Sequence, residues 1–484
     1  MAGRIGPLTV LLIWLALGAP AARSRAQTPP AIASGKGKAL GLFDGPVEKS
    51  SGARVVTQVG RSVRVVCVDP TLAATPLGAV DVPAAAFLWD LIAAADMPPN
   101  GGVCSLSAEE FRVQAFGAAG ADVRFRAKAG DFLRGLPTGD PERTPMSLGR
   151  TSHGLRFLIP SAHGLEVLMC AEGRETERFG VPLPVAGEQT PGWGLGYRMT
   201  SRIATPFFAV GSFLEEDRPQ VLFRSGSSFA VKALGADSKE FAYGPAPDSV
   251  ATTILNFDHV VPPLPIDWDR DGRGDLVLTD PGHGTTILYR GAGRSAGEPR
   301  QPDQIFRESG WALSRAFGDF DGDGRDDLCL GTVPKLNLLE QVQALRSQKI
   351  PVRVTIRRQL PNGGFESAPS AQARCDMPIL MALTRNRRTV RFRAPIAVVP
   401  WGKRSAILVA EDATLAMVLA LAEDGTLGRV GALNGAIQSK EAWVTPFDPP
   451  TADFDGDGRP EVLCVLAESD AGDARIFLAS VGRR

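Results

Sequence analysis

The chain has 484 residues, 44% of them hydrophobic, which is enough to bury one large core or several ordinary ones. Its 53 basic and 53 acidic residues cancel, so no global field points to nucleic acid or to an anionic membrane as the partner. Glycine (53 residues) and proline (38 residues) are more frequent than a helical protein needs, and favour short strands joined by turns.

The N-terminal segment has the pattern of an export signal. A positively charged start precedes an apolar run from Leu8 to Leu17, which is too short to cross a bilayer. Small residues then offer a cleavage site after Ala26, with Ala21 and Ala22 as alternatives. We predict a signal peptide at 1–26, a flexible lead-in at 27–50, and a secreted or periplasmic mature chain without a transmembrane segment.

Two stretches predict short helices inserted among strands. Pro83 to Asp96 starts with proline and is rich in alanine, and both features favour a helix. Leu336 to Gln348 resembles a second short helix between two β-like runs. Helical insertions are therefore predicted near 83–96 and 336–348.

Three copies of one acidic loop are the most informative motif. Each loop has acidic side chains at positions 1, 3, 5 and 9, a glycine at position 6 that permits a sharp turn, and an apolar strand after it. Four carboxylates so close together repel one another unless a hard cation lies among them. Counting the backbone carbonyl of position 7, the predicted ligands are Asp267, Asp269, Asp271, Arg273 and Asp275; Asp319, Asp321, Asp323, Arg325 and Asp327; and Asp453, Asp455, Asp457, Arg459 and Glu461.

An EF-hand is the first alternative for these loops. It requires a glutamate at position 12, where this chain has Leu278, Leu330 and Cys464, and it requires flanking helices rather than strands. A solvated turn of aspartate and glycine is the second alternative. Three copies in matching register favour calcium, and we expect about three structural calcium ions.

The loops belong to a longer repeat. Loop-then-strand starts that have lost most of their acidic residues occur at Ser212–Gln220, at Pro400 and at Thr151. A second strand recurs downstream of the starts, at Phe111, Leu165, Ser228, Thr285, Pro351, Leu415 and Ala474. Such units must stack to bury both faces of their sheets, and a closed ring removes the exposed edges.

The acidic loops, the preceding Phe317-Gly318 and the hairpin starting at Gly282 resemble FG-GAP repeats, also grouped as VCBS repeats. These repeats occur in the propeller of integrin α subunits and in many secreted bacterial proteins. The resemblance implies an all-β fold over 51–484, a seven-bladed β-propeller with short helical insertions and with calcium held in loops at the blade edge. If the ring mixes terminal strands, we expect the strand starting at Arg54 or at Ser62 to complete the blade that holds Ala474–Ser480.

The function class is open between a binding module and an enzyme. We favour a binding protein with structural calcium and a protein or carbohydrate partner at the propeller face, and we expect no nucleic-acid partner. Trp193 is the best candidate for stacking on a sugar, the alternative being that it packs between blades. The second hypothesis is an extracellular polysaccharide lyase or hydrolase, for which Asp258 and His259 are the candidate orienter and base.

The cysteine pattern limits the chemistry further. The six cysteines include no close pair, which excludes a zinc knuckle and a Cys-x-x-Cys redox centre. A disulfide between Cys67 and Cys104 stays open. The sequence also contains no Gly-x-Ser-x-Gly elbow, His-Glu-x-x-His motif or Walker loop.

Overall fold

The computed structural model describes part of the chain. The described residues are 33–36, 42–43, 53–59, 61–68, 74–117, 122–129, 142–143, 146–151, 154–161, 164–182, 186–191, 199–204, 208–211, 213, 220–225, 228–233, 240–243, 250–252, 258–261, 263–291, 301–378, 383–386, 389–392, 396–410, 415–434, 451–452, 461–468 and 473–483. Within these ranges the fold is all-β apart from one helix.

The N-terminal half consists of short antiparallel sheets. Strand β1 (Ala33–Lys36) comes first, and the first sheet follows with β2 (Leu42–Phe43), β3 (Ala53–Val59), β4 (Ser62–Val68) and β5 (Ala74–Asp81). The second contains β6 (Ala86–Ile92), β7 (Gly102–Ser107), β8 (Glu110–Ala115) and β9 (Asp122–Lys128), with β10 (Glu142–Arg143) parallel to β6. The third contains β11 (Ser147–Thr151), β12 (Gly154–Ser161), β13 (Gly164–Ala171) and β14 (Arg174–Pro182).

The middle of the chain continues this pattern and adds two irregular pairings. Strands β15 (Ala186–Pro191) and β16 (Met199–Ala204) pair with each other, and the fourth sheet contains β17 (Phe208–Gly211), β18 (Gln220–Ser225), β19 (Ser228–Ala233) and β20 (Glu240–Tyr243). Strands β21 (Val250–Thr252) and β22 (Asp258–Val260) pair with each other, and β22 also pairs with a strand of a hairpin that comes later in the chain. The fifth sheet contains β23 (Leu264–Ile266), β24 (Asp275–Asp280), β25 (Thr285–Tyr289) and β26 (Gln304–Arg307).

The C-terminal part holds the helix. The sixth sheet contains β27 (Trp311–Gly318), β28 (Asp327–Val333), β29 (Lys349–Arg357) and β30 (Ala371–Pro378), and helix α1 (Leu338–Ser347) lies between β28 and β29. Hairpin β31 (Leu383–Asn386) and β32 (Thr389–Phe392) pairs with β22. The seventh sheet contains β33 (Ile396–Trp401), β34 (Arg404–Ala410), β35 (Leu415–Leu421), β36 (Leu427–Asn434), β37 (Thr451–Ala452), β38 (Glu461–Glu468) and β39 (Asp473–Arg483). In this sheet β39 lies between β36 and β38 and also pairs with β1, which makes eight strands.

Hydrophobic clusters lie between sheets that are consecutive along the chain. Val65 of the first sheet packs in one cluster with Trp89 of the second, and Phe111 of the second packs with Phe157 of the third, their ring centroids 5.0 Å apart. Further clusters connect the third sheet to the fourth, the fourth to the fifth, the fifth to the sixth and the sixth to the seventh. Each of the inner sheets therefore buries both of its faces against its sequence neighbours, which is the packing of a propeller-like array.

The segment 83–96 forms a strand, so the helix predicted there is wrong. Residues Ala86–Ile92 pair antiparallel with Gly102–Ser107. Trp89 and Ile92 are buried between sheets, and buried Asp90 accepts hydrogen bonds from the backbone of Met146 and Ser147. Packing of these large side chains overrides the helical preference of the flanking alanines. Helix α1, by contrast, lies inside the segment 336–348.

The N-terminal region also differs from its prediction. Two short strands, β1 and β2, lie within the predicted flexible lead-in 27–50. Strands β3 and β4 form a sheet of their own with β2 and β5, instead of completing the last blade. It is β1 that pairs antiparallel with β39. The predicted second strands at Leu415 and Ala474 belong to one eight-stranded sheet, whereas the other five fall in separate sheets. The β2–β5 sheet precedes them all, so the count of seven blades is not confirmed.

Several predictions concern residues outside the described ranges. These are the signal peptide 1–26, most of the third acidic loop and Trp193, together with the side chain of His259. In the part of the chain that the structure describes, no helix is both long and apolar enough to cross a membrane. The disulfide between Cys67 and Cys104 that the sequence left open is not formed.

Candidate metal centre

Each acidic loop joins the first and second strands of its sheet. The first loop, 267–275, runs from β23 into β24, and the second loop, 319–327, runs from β27 into β28. The third loop, 453–461, lies between β37 and β38, although residues 453–460 are outside the described ranges. The degenerate starts near Ser212, Pro400 and Thr151 occupy this same connection in the fourth, seventh and third sheets. The repeat predicted from sequence is thus a repeat of sheet topology.

The two described loops share one pattern of local hydrogen bonds. The position-1 carboxylates, of Asp267 and Asp319, accept backbone hydrogen bonds from position 6, the glycines Gly272 and Gly324, at 3.0 and 2.9 Å. Both glycines have a positive φ, of 84° and 86°, and no atom lies near a Cβ placed on either. Backbone conformation alone therefore explains the glycine at position 6.

The position-9 carboxylates hold each loop to its sheet. Buried Asp327 accepts hydrogen bonds from the backbone of Phe320, at position 2, and of Gln359, just beyond β29. Asp275 does the same with the backbone of Trp268 and of Gly291, just beyond β25. Position 9 therefore connects three segments of its own sheet through main-chain donors.

The loop of the fourth sheet keeps this contact without an acid. Phe213 stands at position 2 and Gln220 at position 9, and the Gln220 side-chain oxygen accepts a hydrogen bond from the Phe213 backbone. Gln220 is fully buried. Because an amide serves as well as a carboxylate here, the contact from position 9 to position 2 is a structural one that does not require a charge.

Position 3 is paired with an arginine in both loops. Arg290, directly after β25, forms an ion pair with Asp269, and Arg358, directly after β29, forms one with Asp321 at 3.2 Å. A carboxylate has about four lone-pair directions, so each of these aspartates keeps acceptor capacity for a cation. The two arginines offset part of the negative charge of their loops.

The pKa values of the two position-9 carboxyl groups are raised. Burial is the largest cause, and it raises the pKa of Asp275 to about 7, with the charges of Asp269 and Asp271 acting in the same direction. Backbone hydrogen bonds from Gly291 and Trp268 lower it. Burial also raises the pKa of Asp327 to about 7, again reinforced by its acidic neighbours. Each loop thus concentrates more negative charge than its own surroundings stabilise.

Part of each predicted ligand set comes together. Carboxylate oxygens of Asp267, Asp269 and Asp275 lie within 4.8 Å of one another, and so do those of Asp319, Asp321 and Asp323. Oxygens bound to one calcium ion at 2.3–2.6 Å are at most about 5 Å apart, so either group can hold such an ion. Asp271 and Asp327 lie outside these groups. The all-oxygen donor set suits a hard cation.

The loops also contact their neighbours from sheet to sheet. Arg270 of the first loop donates hydrogen bonds to the Gly324 carbonyl (3.0 Å) and to the Asp326 carboxylate (3.0 Å) of the second loop. Ser405, in strand β34 of the seventh sheet, donates its backbone N–H to the Asp319 carbonyl. At the other side, Gly274 lies so close to the Phe213 ring that a Cβ would be 2.7 Å from it. The loops therefore form a row across the fourth to seventh sheets.

A hairpin of the sixth sheet closes over the first loop. The Trp268 indole donates to the Gly363 carbonyl at 2.9 Å, and the Gln359 side chain donates to the Trp268 carbonyl at 2.9 Å. A cavity of about 180 Å³ remains between the hairpin and the two loops; its lining includes Arg270, Arg290 and Arg325. These guanidinium groups already pair with carboxylates of the loops.

Sequence reasoning missed the residues that support the loops from outside them. Arg290 and Arg358, with Gly291 and Gln359 after them, stand at equivalent places directly beyond the third strand of each sheet. The signal was available as an arginine at that strand end in both repeats. It was hidden because helix α1 and its flanking residues change the spacing between loop and arginine in the sixth sheet.

In comparisons with known proteins, one family model matches part of the chain. Residues 267–330 match the FG-GAP-like repeat family, and the match spans both described loops. No curated protein matches the chain. Among solved structures, the chain is similar to a candidate 6-phosphogluconolactonase from Bacteroides uniformis ATCC 8492, at 14% identity and a TM-score of 0.34, over 76% of this chain and 90% of that one. A likeness of that size carries no argument about function. Residues 267–330 of this chain are an FG-GAP-like repeat.

Proposed function

We propose that this protein is a secreted or periplasmic β-propeller, stabilised by calcium, that acts as a binding module for a protein or carbohydrate partner. The observation that carries the proposal is the row of loops across the fourth to seventh sheets, in which two acidic clusters sit where neighbouring sheets meet. An ion at such a junction fixes the loops and thereby the relative position of the sheets.

Calcium would be held by the carboxylates of Asp267, Asp269 and Asp275 in one loop and of Asp319, Asp321 and Asp323 in the other. Its chemistry there is charge neutralisation, because it supplies the positive charge that the crowded carboxylates lack. The third loop, with Asp453, Asp455 and Asp457, has the same sequence pattern and is proposed as a third site. The carbonyls of Arg273, Arg325 and Arg459 complete the proposed sets.

A structural role suits these clusters better than a catalytic one. Their carboxylates are already engaged with backbone donors and arginines, which fixes their geometry. The clusters recur in successive sheets, whereas an active site is single. A propeller whose loops are fixed in this way presents a rigid face, and a rigid face lowers the entropic cost of binding a partner.

The test is thermal unfolding of the full chain in millimolar calcium and in excess chelator. A ligand at 100 times its dissociation constant adds about 2.7 kcal/mol of stability per site, so we expect a clear fall in the melting temperature on chelation. Asp321→Ala and Asp269→Ala should each remove part of that fall. An unchanged melting temperature on chelation contradicts the calcium proposal.

Asp424→Ala is the matched control. Asp424 is an exposed aspartate of a glycine-containing turn, and it accepts hydrogen bonds from Thr426, but it belongs to no acidic cluster of the described residues. We expect it to lower stability equally in calcium and in chelator. Binding is tested separately, by titrating the calcium-loaded chain against immobilised polysaccharides and exported proteins; failure to bind any of them leaves the calcium result intact and counts against the binding module.

A further inference from the structure

Helix α1 presents an apolar face that the fold leaves uncovered. Leu338 and Leu339 are each 77% exposed, Val342 is 55% exposed and Leu345 is 45% exposed. Leu338, Val342 and Leu345 recur at helical spacing on one side, with Leu339 beside them. On the opposite side Ala344 is buried in the core cluster of the sixth and seventh sheets. The helix is therefore docked by one face and open on the other.

The helix does not depend on a partner to form. Asn337 caps its start in a capping box, in which the Asn337 side chain accepts from the Glu340 backbone at 2.9 Å and the Glu340 side chain accepts from the Asn337 backbone at 2.8 Å. Gln348 ends it in a left-handed conformation, with φ 56°. Such caps stabilise a short helix that would otherwise be marginal. The exposed leucines thus lie on a helix that is capped at both ends.

The helix is also an addition to the repeat. It joins the second and third strands of its sheet, a connection that the fifth sheet makes with the four-residue turn 281–284. In an antiparallel meander this connection lies at the end of the sheet opposite the acidic loops. The sheet therefore does not need the helix, and the exposed face is separate from the candidate metal centre.

The charges around the apolar face are basic. Lys335 precedes the helix, Arg346 lies in its last turn next to the leucines, and Lys349 follows it; all three are exposed. Glu340 is the acidic residue of this segment, and the capping box holds it at the helix start. A short helix with leucines on one face and basic residues at its borders complements an anionic lipid surface. A second copy of the same segment would bring like charges together.

We propose that α1 docks the protein onto a membrane surface that contains anionic lipid. Leu338, Leu339, Val342 and Leu345 enter the boundary between headgroups and acyl chains, while Lys335, Arg346 and Lys349 pair with lipid phosphates. The helix lies in the plane of the surface and does not cross it. This inference does not rest on the proposed calcium sites or on the proposed binding module.

The experiment is co-sedimentation of the full chain with two sets of vesicles, one of phosphatidylcholine alone and one of phosphatidylcholine with phosphatidylglycerol. We expect binding to the anionic vesicles that weakens as salt is added, and little binding to the neutral ones. Leu338→Gln with Leu339→Gln should weaken anionic binding at least about tenfold, since two large apolar side chains no longer enter the membrane. Lys335→Gln with Arg346→Gln and Lys349→Gln should weaken it by a similar factor.

Ile305→Gln is the matched control, because Ile305 is an apolar residue of the fifth sheet that is 45% exposed, as Leu345 is. It should bind vesicles as the unchanged chain does. All variants change exposed side chains, so their melting temperatures should stay close to that of the unchanged chain. Absence of binding to anionic vesicles, or equal binding by the leucine variant, overturns the proposal. A dimer in solution that the leucine variant dissociates also overturns it, in favour of a second copy.

Discussion

At the scale of single residues, some positions of the acidic loop stabilise the fold and others are the proposed ligands of a cation. Position 9 accepts main-chain hydrogen bonds from two other segments, and Gln220 makes one of these contacts with an amide. Positions 1 and 3 are part of both described carboxylate groups. The same nine residues therefore combine a structural role with the proposed binding of a cation, and mutations can distinguish the two.

We predict that Asp327→Ala lowers stability by about 3 kcal/mol even in excess chelator, because it leaves the buried N–H groups of Phe320 and Gln359 without acceptors. Asp321→Ala should lower stability mainly in calcium. Urea unfolding of both variants, with calcium and with chelator, measures the difference. If Asp327→Ala changes stability only when calcium is present, position 9 is a ligand without a separate structural role.

A second prediction concerns pH. With no cation present, the folded-state pKa of Asp275 and of Asp327 is raised to about 7, above that of an unfolded aspartate. The metal-free fold therefore holds extra protons, and the stability gained from them is present at low pH and is lost as the pH rises through about 7. Calcium must displace these protons, so its affinity should fall as the pH drops below about 7.

Calorimetric titration with calcium tests this pH dependence. Repeating it in two buffers of different ionisation enthalpy at pH 6.5 should reveal protons released on binding. A calcium affinity that does not change between pH 6 and pH 8, with no proton release, contradicts the prediction.

At the scale of elements, Arg270 makes the link between the two loops. It stands at position 4 with φ 58°, an unfavourable conformation for a side chain of this size, whereas the second loop has Gly322 there with φ 85°. The contacts of Arg270 with Gly324 and Asp326 offset that strain. A residue held in this conformation between two carboxylate clusters is suited to couple them.

We predict that Arg270→Gly removes the coupling without unfolding the protein. Glycine relieves the backbone strain and removes the contacts with the second loop, so overall stability should change by no more than about 1 kcal/mol. Calcium titration should shift from cooperative binding at two sites to independent binding. Arg273→Ala, in the same loop, is the control. Equal cooperativity in the Arg270→Gly variant rules the link out.

The sequence predicts elements well where local signals and packing agree. The acidic loops and the strands after them follow from residue pattern alone, because the glycines, aspartates and apolar runs have fixed spacing. The strand Ala86–Ile92 could not be predicted in this way, since the burial of Trp89 against the first sheet decides it. Arg290 and Arg358 escaped notice because their partners are remote in sequence.

At the scale of the whole molecule, the two termini meet in one sheet. Strand β1 pairs antiparallel with β39, in the register Ala33 with Ile476 and Ser34 with Arg475. Strands β37, β38, β39 and β1 form one end of the eight-stranded seventh sheet, in which β39 also pairs with β36. Strand β1 thus covers part of an edge of β39 with backbone hydrogen bonds, which ties the N-terminal strand to the C-terminal one. Sequence reasoning anticipated a terminal closure but assigned it to later strands.

We predict that Ser34→Cys with Arg475→Cys forms a disulfide on mild oxidation and raises the melting temperature, because the cross-link joins residues that are far apart in sequence. The mismatched pair Ser34→Cys with Arg483→Cys is the control, since Arg483 pairs with Gly431 of β36 and lies far along β39 from Ser34. Non-reducing electrophoresis detects the cross-link. If both cysteine pairs form disulfides at the same rate, or if neither pair does, the two terminal strands do not pair in this register. If only the first pair forms a disulfide, the pairing is correct. Removing residues 33–36 should then expose the edge of β39 and lower the stability of the protein.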